Sequence, residues 1–309
     1  MCNGASINKS CTQKDSEQIK YKKLYKYYSL EGGISALLNQ TLLFNYPFLF
    51  NDLFECRFSS EKSGLINSSR QHVVVPYNLS DSFLILCLSQ APHIFRLWTF
   101  YAEAFDGIVV EYDVPTNTSE YLIFDVNYYD ESQYDSVFEN YRNYFSDLRA
   151  QYNKDDAINL IKLIAGNKHN VWEYEQETRL VKFVDKNIFN CANNHHIVSQ
   201  DSHKNIKESL RLFNCSDLGI RISKIYIGRR FFEKYQCEYD FLFASDETQF
   251  IDYYSNKYKH LRFLRFLLKK YGNENIYISN PIQKNSSVES CPLHIKLEKL
   301  PDCLVNRFF

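Results

Sequence analysis

The run Trp172-Glu173-Tyr174-Glu175-Gln176-Glu177-Thr178-Arg179-Leu180-Val181-Lys182-Phe183 sets three carboxylates and a guanidinium within seven positions, then enters a β-branched, aromatic segment. If the run is extended, alternate side chains share a face, and Glu173, Glu175, Glu177 and Arg179 form one charged row. Neighbours in such a row lie roughly 6–7 Å apart. Like charges that close repel unless water, the arginine, a cation or a polar ligand offsets them. Carboxylates so held can act as general acid or base, or stabilise a developing positive charge. In the alternative reading Glu175 or Glu177 pairs with Arg179 and only fixes the strand.

Other residues carry weaker signals. Ser89 closes the apolar run Phe83 to Leu88, where open sheets present ligand-binding groups, although serine also ends strands without function. Trp98 and Tyr101 have helical spacing, which fits either core packing or a stacking platform. Asn51-Asp52 would cap a short helix or stand at a site mouth. Cys191, His195, His196 and His203 form the one metal-like cluster, but their spacing matches no zinc pattern, and no metal site is predicted. The stretch Tyr253 to Tyr271 is read as a helix with an apolar stripe backed by Lys257, Lys259, Arg262, Arg265, Lys269 and Lys270. That back could meet nucleic-acid phosphates, or could be a solvated surface. P-loop, GxSxG, HExxH and GxGxxG motifs are all missing from the sequence.

The elements that must position these groups alternate singly. Strands are expected at Tyr21 to Ser29, Thr41 to Phe44, Phe83 to Leu88, Ile108 to Tyr112, Tyr121 to Tyr128, from Glu173 or Glu175 to Val184, and at Ile222 to Ile227. Helices are expected at Ile34 to Asn39, Phe95 to Phe105, within Ser132 to Ile164, and at Tyr235 to Phe243. The tail from Asn280 reads as loop with one strand near His294 to Leu297. Without a regular βαβ repeat, the class is α+β: a mixed or antiparallel central sheet with flanking helices and a helical insertion. The expected organisation is a disordered leader at 1–20 and a main domain at 21–252 with the insertion near 132–165. A basic helix and loop-rich tail at 253–309 would sit on that domain.

The chain has 309 residues, enough to bury a substantial core. A net charge of −1 excludes a global field that draws in nucleic acid or anionic lipid, so any such partner needs a local patch. Nine cysteines, an odd number without a C-x-x-C, argue for reduced thiols. The polar N-terminus lacks the apolar core of a signal peptide, and no apolar run reaches the ~20 residues of a membrane span. A cytoplasmic protein is expected, with no membrane partner and an oligomeric state left open.

Several segments, in order, resemble the bacterial domain of unknown function family 2971. They are Leu24-Tyr25-Lys26-Tyr27-Tyr28-Ser29-Leu30, Phe50-Asn51-Asp52-Leu53-Phe54-Glu55-Cys56 and Cys87-Leu88-Ser89. The helix bearing Trp98, Tyr101 and Ala102 with the later Gly107, the Trp172 to Arg179 block, and Ile225 to Gly228 complete the set, which spans roughly 24–228. Tyr28 stands where the family has arginine, and Leu53 where it has proline. If that arginine contacts an anionic ligand, this chain has either lost the contact or replaced it, with Lys26 as the candidate replacement.

Glu175-Gln176-Glu177 near a strand start also resembles the Glu-x-Glu element of ADP-ribosyltransferases. In that chemistry one carboxylate holds a ribose hydroxyl of NAD and stabilises an oxocarbenium-like transition state, while the other orients or deprotonates the acceptor. The resemblance implies Glu177 in the first role and Glu175 in the second, with NAD as substrate and Tyr27 or Trp98 stacking on nicotinamide. Lys26, Ser89, Tyr101 and Arg179 complete the expected ligand-binding set. The implied setting is phage defence or toxin activity. The class-distinct alternative is a non-catalytic sensor or interaction module that binds a nucleotide, or binds nucleic acid through 253–271.

Overall fold

The computed structural model describes residues 19–50, 83–133, 154–184, 211–244, 259–283 and 293–299. In chain order these hold β1 (Tyr21–Tyr28), α1 (Leu30–Asn39), β2 (Thr41–Leu43), β3 (Phe83–Ser89), α2 (Phe95–Phe100), β4 (Ile108–Pro115), β5 (Leu122–Asp125) and β6 (Asn127–Tyr129). There follow α3 (Lys154–Ala165), β7 (Asn167–His169), β8 (Glu177–Phe183), β9 (Leu212–Asn214), β10 (Arg221–Gly228), α4 (Arg229–Ala244), α5 (Lys259–Tyr271), β11 (Ile276–Gln283) and β12 (Leu293–Lys299). Eight strands form one sheet in the order β12-β11-β10-β4-β1-β3-β8-β5. Only β10 and β11 pair in parallel within it, so the fold is α+β and mostly antiparallel.

The sheet divides its side chains by period two. One face carries Leu24, Leu84, Leu86, Val110, Ile225 and Ile278 into the main core, where α1, α4 and α5 cover them. On α5 the apolar stripe is Phe263, Leu264, Leu267 and Leu268, all buried, each contributing about 1.5–3 kcal/mol of burial. The opposite face carries two smaller clusters. Ile161, Ile164 and Ala165 of α3 cover Phe83, Ile85 and Val181. Leu97 and Trp98 of α2 cover Tyr27, Val109 and Tyr226. Between those two clusters this face is left open to hold a site.

Local signals set the element ends. The Ser29 hydroxyl accepts from the Gly32 amide at 3.1 Å and starts α1. After α2 the backbone enters the left-handed region at three successive non-glycine residues: Glu103 (φ 48), Ala104 (φ 50) and Phe105 (φ 71). Such conformations persist only where their surroundings over-determine them. Here the Phe105 ring stacks on Trp98 at 5.2 Å, and Glu103 Oε2 accepts from the Leu30 amide at 3.1 Å. Gly228 accommodates the turn, because a Cβ there would meet the Phe105 carbonyl at 2.1 Å.

The structure departs from the sequence expectations in three places. The run from Glu173 does not extend directly: Asn170–Glu175 is a 3-10 turn, Gln176 is left-handed (φ 47), and β8 begins at Glu177. The expected strand at Tyr121 to Tyr128 is two strands, β5 and β6, which pair with different partners. The tail is less loop-rich than expected, since β11 (Ile276–Gln283) was not foreseen, while the strand expected near His294 to Leu297 is β12. Asn51, Asp52, Cys191, His195, His196 and His203, with residues 1–18 of the leader, 134–153 of the insertion and the 253–258 part of the basic helix, lie outside the described residues.

Candidate functional site

The site begins at a gap in the sheet. Among the described residues, β1 and β3 register at one pair, Tyr25 with Ser89. Beyond it they separate, and the segment after β2 enters the gap, where Asn45 and Ile85 exchange both backbone hydrogen bonds at 2.8 Å. A cavity of about 330 Å³ opens beside the pair, which is within the size of small-molecule sites. Tyr25, Lys26 and Tyr27 of β1, Cys87 and Ser89 of β3, and Tyr101 line it from one direction. Lys168, Trp172, Glu175 and Glu177 line it from the other.

The 3-10 turn and the left-handed Gln176 have a chemical consequence. They swing Glu175 back so that it and Glu177 converge on one cation rather than lying along a flat row. Lys168 Nζ, on β7, donates to Glu175 Oε2 at 2.7 Å and to Glu177 Oε2 at 3.0 Å. Arg179, two residues along β8 on the same face, donates from Nε to Glu177 Oε1 at 2.8 Å and from Nη2 to Oε2 at 3.2 Å. All four residues are buried, and their charges cancel. Burial lifts the Glu177 carboxyl above its ordinary pKa, and Lys168 opposes that shift. Burial also works against the Lys168 charge, but Glu177 and Glu175 overcome it and hold the ammonium well above the usual lysine value.

The remaining expected residues fall into place by contact. Tyr101 donates its hydroxyl to Glu175 Oε1 at 3.0 Å. Burial, followed by the Glu175 charge, pushes that phenol above its ordinary pKa. Ser89 donates to the Glu175 carbonyl at 2.8 Å and so ties the end of β3 to the turn that carries Glu175. Tyr27 donates to the Ala91 carbonyl at 2.8 Å and accepts from the Ile94 amide at 3.2 Å, which fixes the loop leading into α2. Lys26 donates to the Cys87 carbonyl at 2.9 Å, and among the described residues no carboxylate pairs with it. Trp98 takes the core alternative: it is fully buried behind Tyr27, its indole donating to the Pro92 carbonyl at 2.8 Å. Arg179 lies beneath Glu177 and is also absent from the cavity lining. Glu173 is exposed.

Sequence reasoning missed Lys168, Trp172, Cys87 and Tyr25 as lining groups. Two buried carboxylates beside one arginine require a further cation, but nothing in the sequence singles out Lys168 as that cation. Trp172 supports that cation, with its ring 5.2 Å from Lys168 Nζ.

The model of a family described as a protein of unknown function (DUF2971) matches residues 97–180. That stretch of the chain is similar to the family. The matched segment carries Tyr101, Lys168, Trp172, Glu175, Glu177 and Arg179, while Lys26, Tyr27 and Ser89 come to the cavity from earlier in the chain. No curated protein and no solved structure matches the chain. Among the described residues no helix is long and apolar enough to cross a membrane.

Proposed function

We propose that the cavity takes NAD and that the chain is an ADP-ribosyltransferase-like enzyme. The observation that carries this reading is convergence: Glu175, Glu177, Tyr27 and Ser89, from distant parts of the sequence, line one cavity. Charge supports it. Lys168 and Arg179 balance the two carboxylates, so Lys26 is a surplus cation that favours an anionic ligand such as a pyrophosphate.

Arg179 and Lys168 donate to Glu177 and favour its charged form against burial, which suits a carboxylate placed to meet the positive charge that develops at the ribose C1′. Glu175 has acceptor positions to spare, since one oxygen receives Tyr101 and the other Lys168. In the reaction the bond from C1′ to the nicotinamide nitrogen breaks and its electron pair neutralises the pyridinium. The acceptor's nucleophilic atom bonds to C1′, and its proton passes to Glu175.

A second reading has its own observation. Three donors from Arg179 and Lys168 already occupy Glu177, which suits a structural carboxylate in a non-catalytic nucleotide-binding module. Purified protein with NAD labelled in both halves separates the two. Nicotinamide release by the parent protein, lost in Glu175→Gln and Glu177→Gln, is the result expected for the enzyme. Saturable NAD binding without release would favour the module. Neither binding nor release would overturn both.

A further inference from the structure

The sheet face that carries the cavity continues past Tyr25 onto β4, β10 and β11. Backbone register sets Ser89 beside Tyr25, Tyr25 beside Glu111, and Glu111 beside Lys224. A polar row therefore runs outward from the cavity at about 4.8 Å per strand. Glu111 is buried under this surface. Its Oε1 accepts from Lys23 at 2.5 Å and from Ser223 at 3.1 Å, and its Oε2 accepts from the Tyr226 hydroxyl at 2.6 Å.

A bulge in β10 shapes what lies above. Arg221 pairs with Asp113 and Lys224 with Glu111, the register shifting between Ile222 and Lys224. Without the extra residue, positions 221 and 224 would point to opposite faces. With it, both cations share the face of Asp113 and Glu111, while Ile222 and Ile225 turn into the main core. The cations alternate with rings. Arg221 lies 4.3 Å from the Tyr21 ring centre, and Lys224 5.4 Å from that of Tyr277. Tyr226 bridges Tyr25 at 6.2 Å and Tyr277 at 5.4 Å. Tyr21, Lys23 and Arg221 are exposed, and Lys224, Tyr25 and Tyr277 are half-buried.

We infer that this face is a docking surface for single-stranded nucleic acid. Cations interleaved with tyrosines on a sheet match a backbone of phosphates carrying stackable bases, and Lys23, Arg221 and Lys224 exceed Glu111 and Asp113, with which Lys23 and Lys224 pair, by one positive charge. An acidic protein would meet the cations but leave the ladder of rings unused. A duplex hides its base faces. The inference stands independently of what occupies the cavity. If the transferase reading holds, a strand lying here passes Tyr25 and enters the site as acceptor.

Fluorescence anisotropy with a labelled 12-nucleotide single strand, without NAD, tests the inference on the full chain. Binding should weaken as salt rises, and Tyr277→Ala should lower affinity about tenfold. Arg221→Ala should reduce the log–log salt slope by about 0.7. Lys269→Ala, on the exposed side of α5, should leave both unchanged. Circular dichroism verifies that each variant is folded. No binding at low salt overturns the inference, as does equal affinity for duplex. It is also overturned if Tyr277→Ala is neutral while Arg221→Ala weakens binding, since that describes a general polyanion surface. Because NAD is absent, failure here is distinguishable from failure of the transferase reading.

Discussion

Lys168 and Glu175 are seven residues apart, and their side chains meet at 2.7 Å inside a buried cluster. The 3-10 turn between them makes this contact, and the contact in turn lets Glu175 stand beside Glu177 without net repulsion. Lys168→Met should therefore leave two buried carboxylates with one guanidinium. A loss of about 3–5 kcal/mol in urea unfolding is expected. A loss below about 1 kcal/mol would show that the cluster is wet and loosely held.

Lys168 also predicts the alkaline limb of stability. Its folded pKa lies above the ordinary 10.5, so its contribution is fully present below that pH. The contribution declines as pH rises from 10.5 through the folded value. The parent protein should lose stability across that window, and Lys168→Met should show a flatter limb. Parallel curves for the two proteins would remove Lys168 as the cause.

Glu111 acts at the other end of the scale. Burial alone would raise its pKa, but hydrogen bonds from Lys23 and Tyr226 outweigh that and lower it below the ordinary 4.5. The stabilisation is present above 4.5 and is lost as pH falls through the folded value. In acid titrations followed by circular dichroism, Glu111→Gln should be less stable than the parent at neutral pH. The gap should close as pH drops below 4.5, and a gap independent of pH would contradict the assignment.

The left-handed turn yields a pair of opposite effects. Ala104→Gly, at φ 50 and ψ 51, relieves a conformation that costs an L-residue roughly 1–2 kcal/mol, partly offset by a freer unfolded chain. A gain of about 0.5–1 kcal/mol is expected. Gly228→Ala forces a methyl against the Phe105 carbonyl, a backbone atom, and should cost about 1–3 kcal/mol. Urea midpoints measure both.

The two tryptophans report on different places. Trp172 lines the cavity, whereas Trp98 is sealed in the core. In a Trp98→Phe background, NAD titration should change the emission of Trp172 and saturate. Emission that stays flat while calorimetry detects binding would place the ligand elsewhere.

Much of the fold was legible. The apolar run at Phe83 to Leu88 is a buried strand, and β1, β4 and β10 follow their alternating patterns to within a few residues. β11 was hidden because Asn280 and Pro281 read as loop. Its pairing with β10 ends at Ser279, so Pro281 needs no donor on that side. Glu175 and Glu177 were legible as a pair, but not the way they meet. That depends on a positive φ at Gln176, a residue type that gives no such signal. Lys168 looked like any lysine, and only its tertiary setting makes it a counter-ion.

The solitary Tyr25–Ser89 register pair makes the large sheet mechanically two plates sharing a narrow seam. Whatever lodges in the adjoining hollow touches both plates, so it works as a rivet as well as a guest.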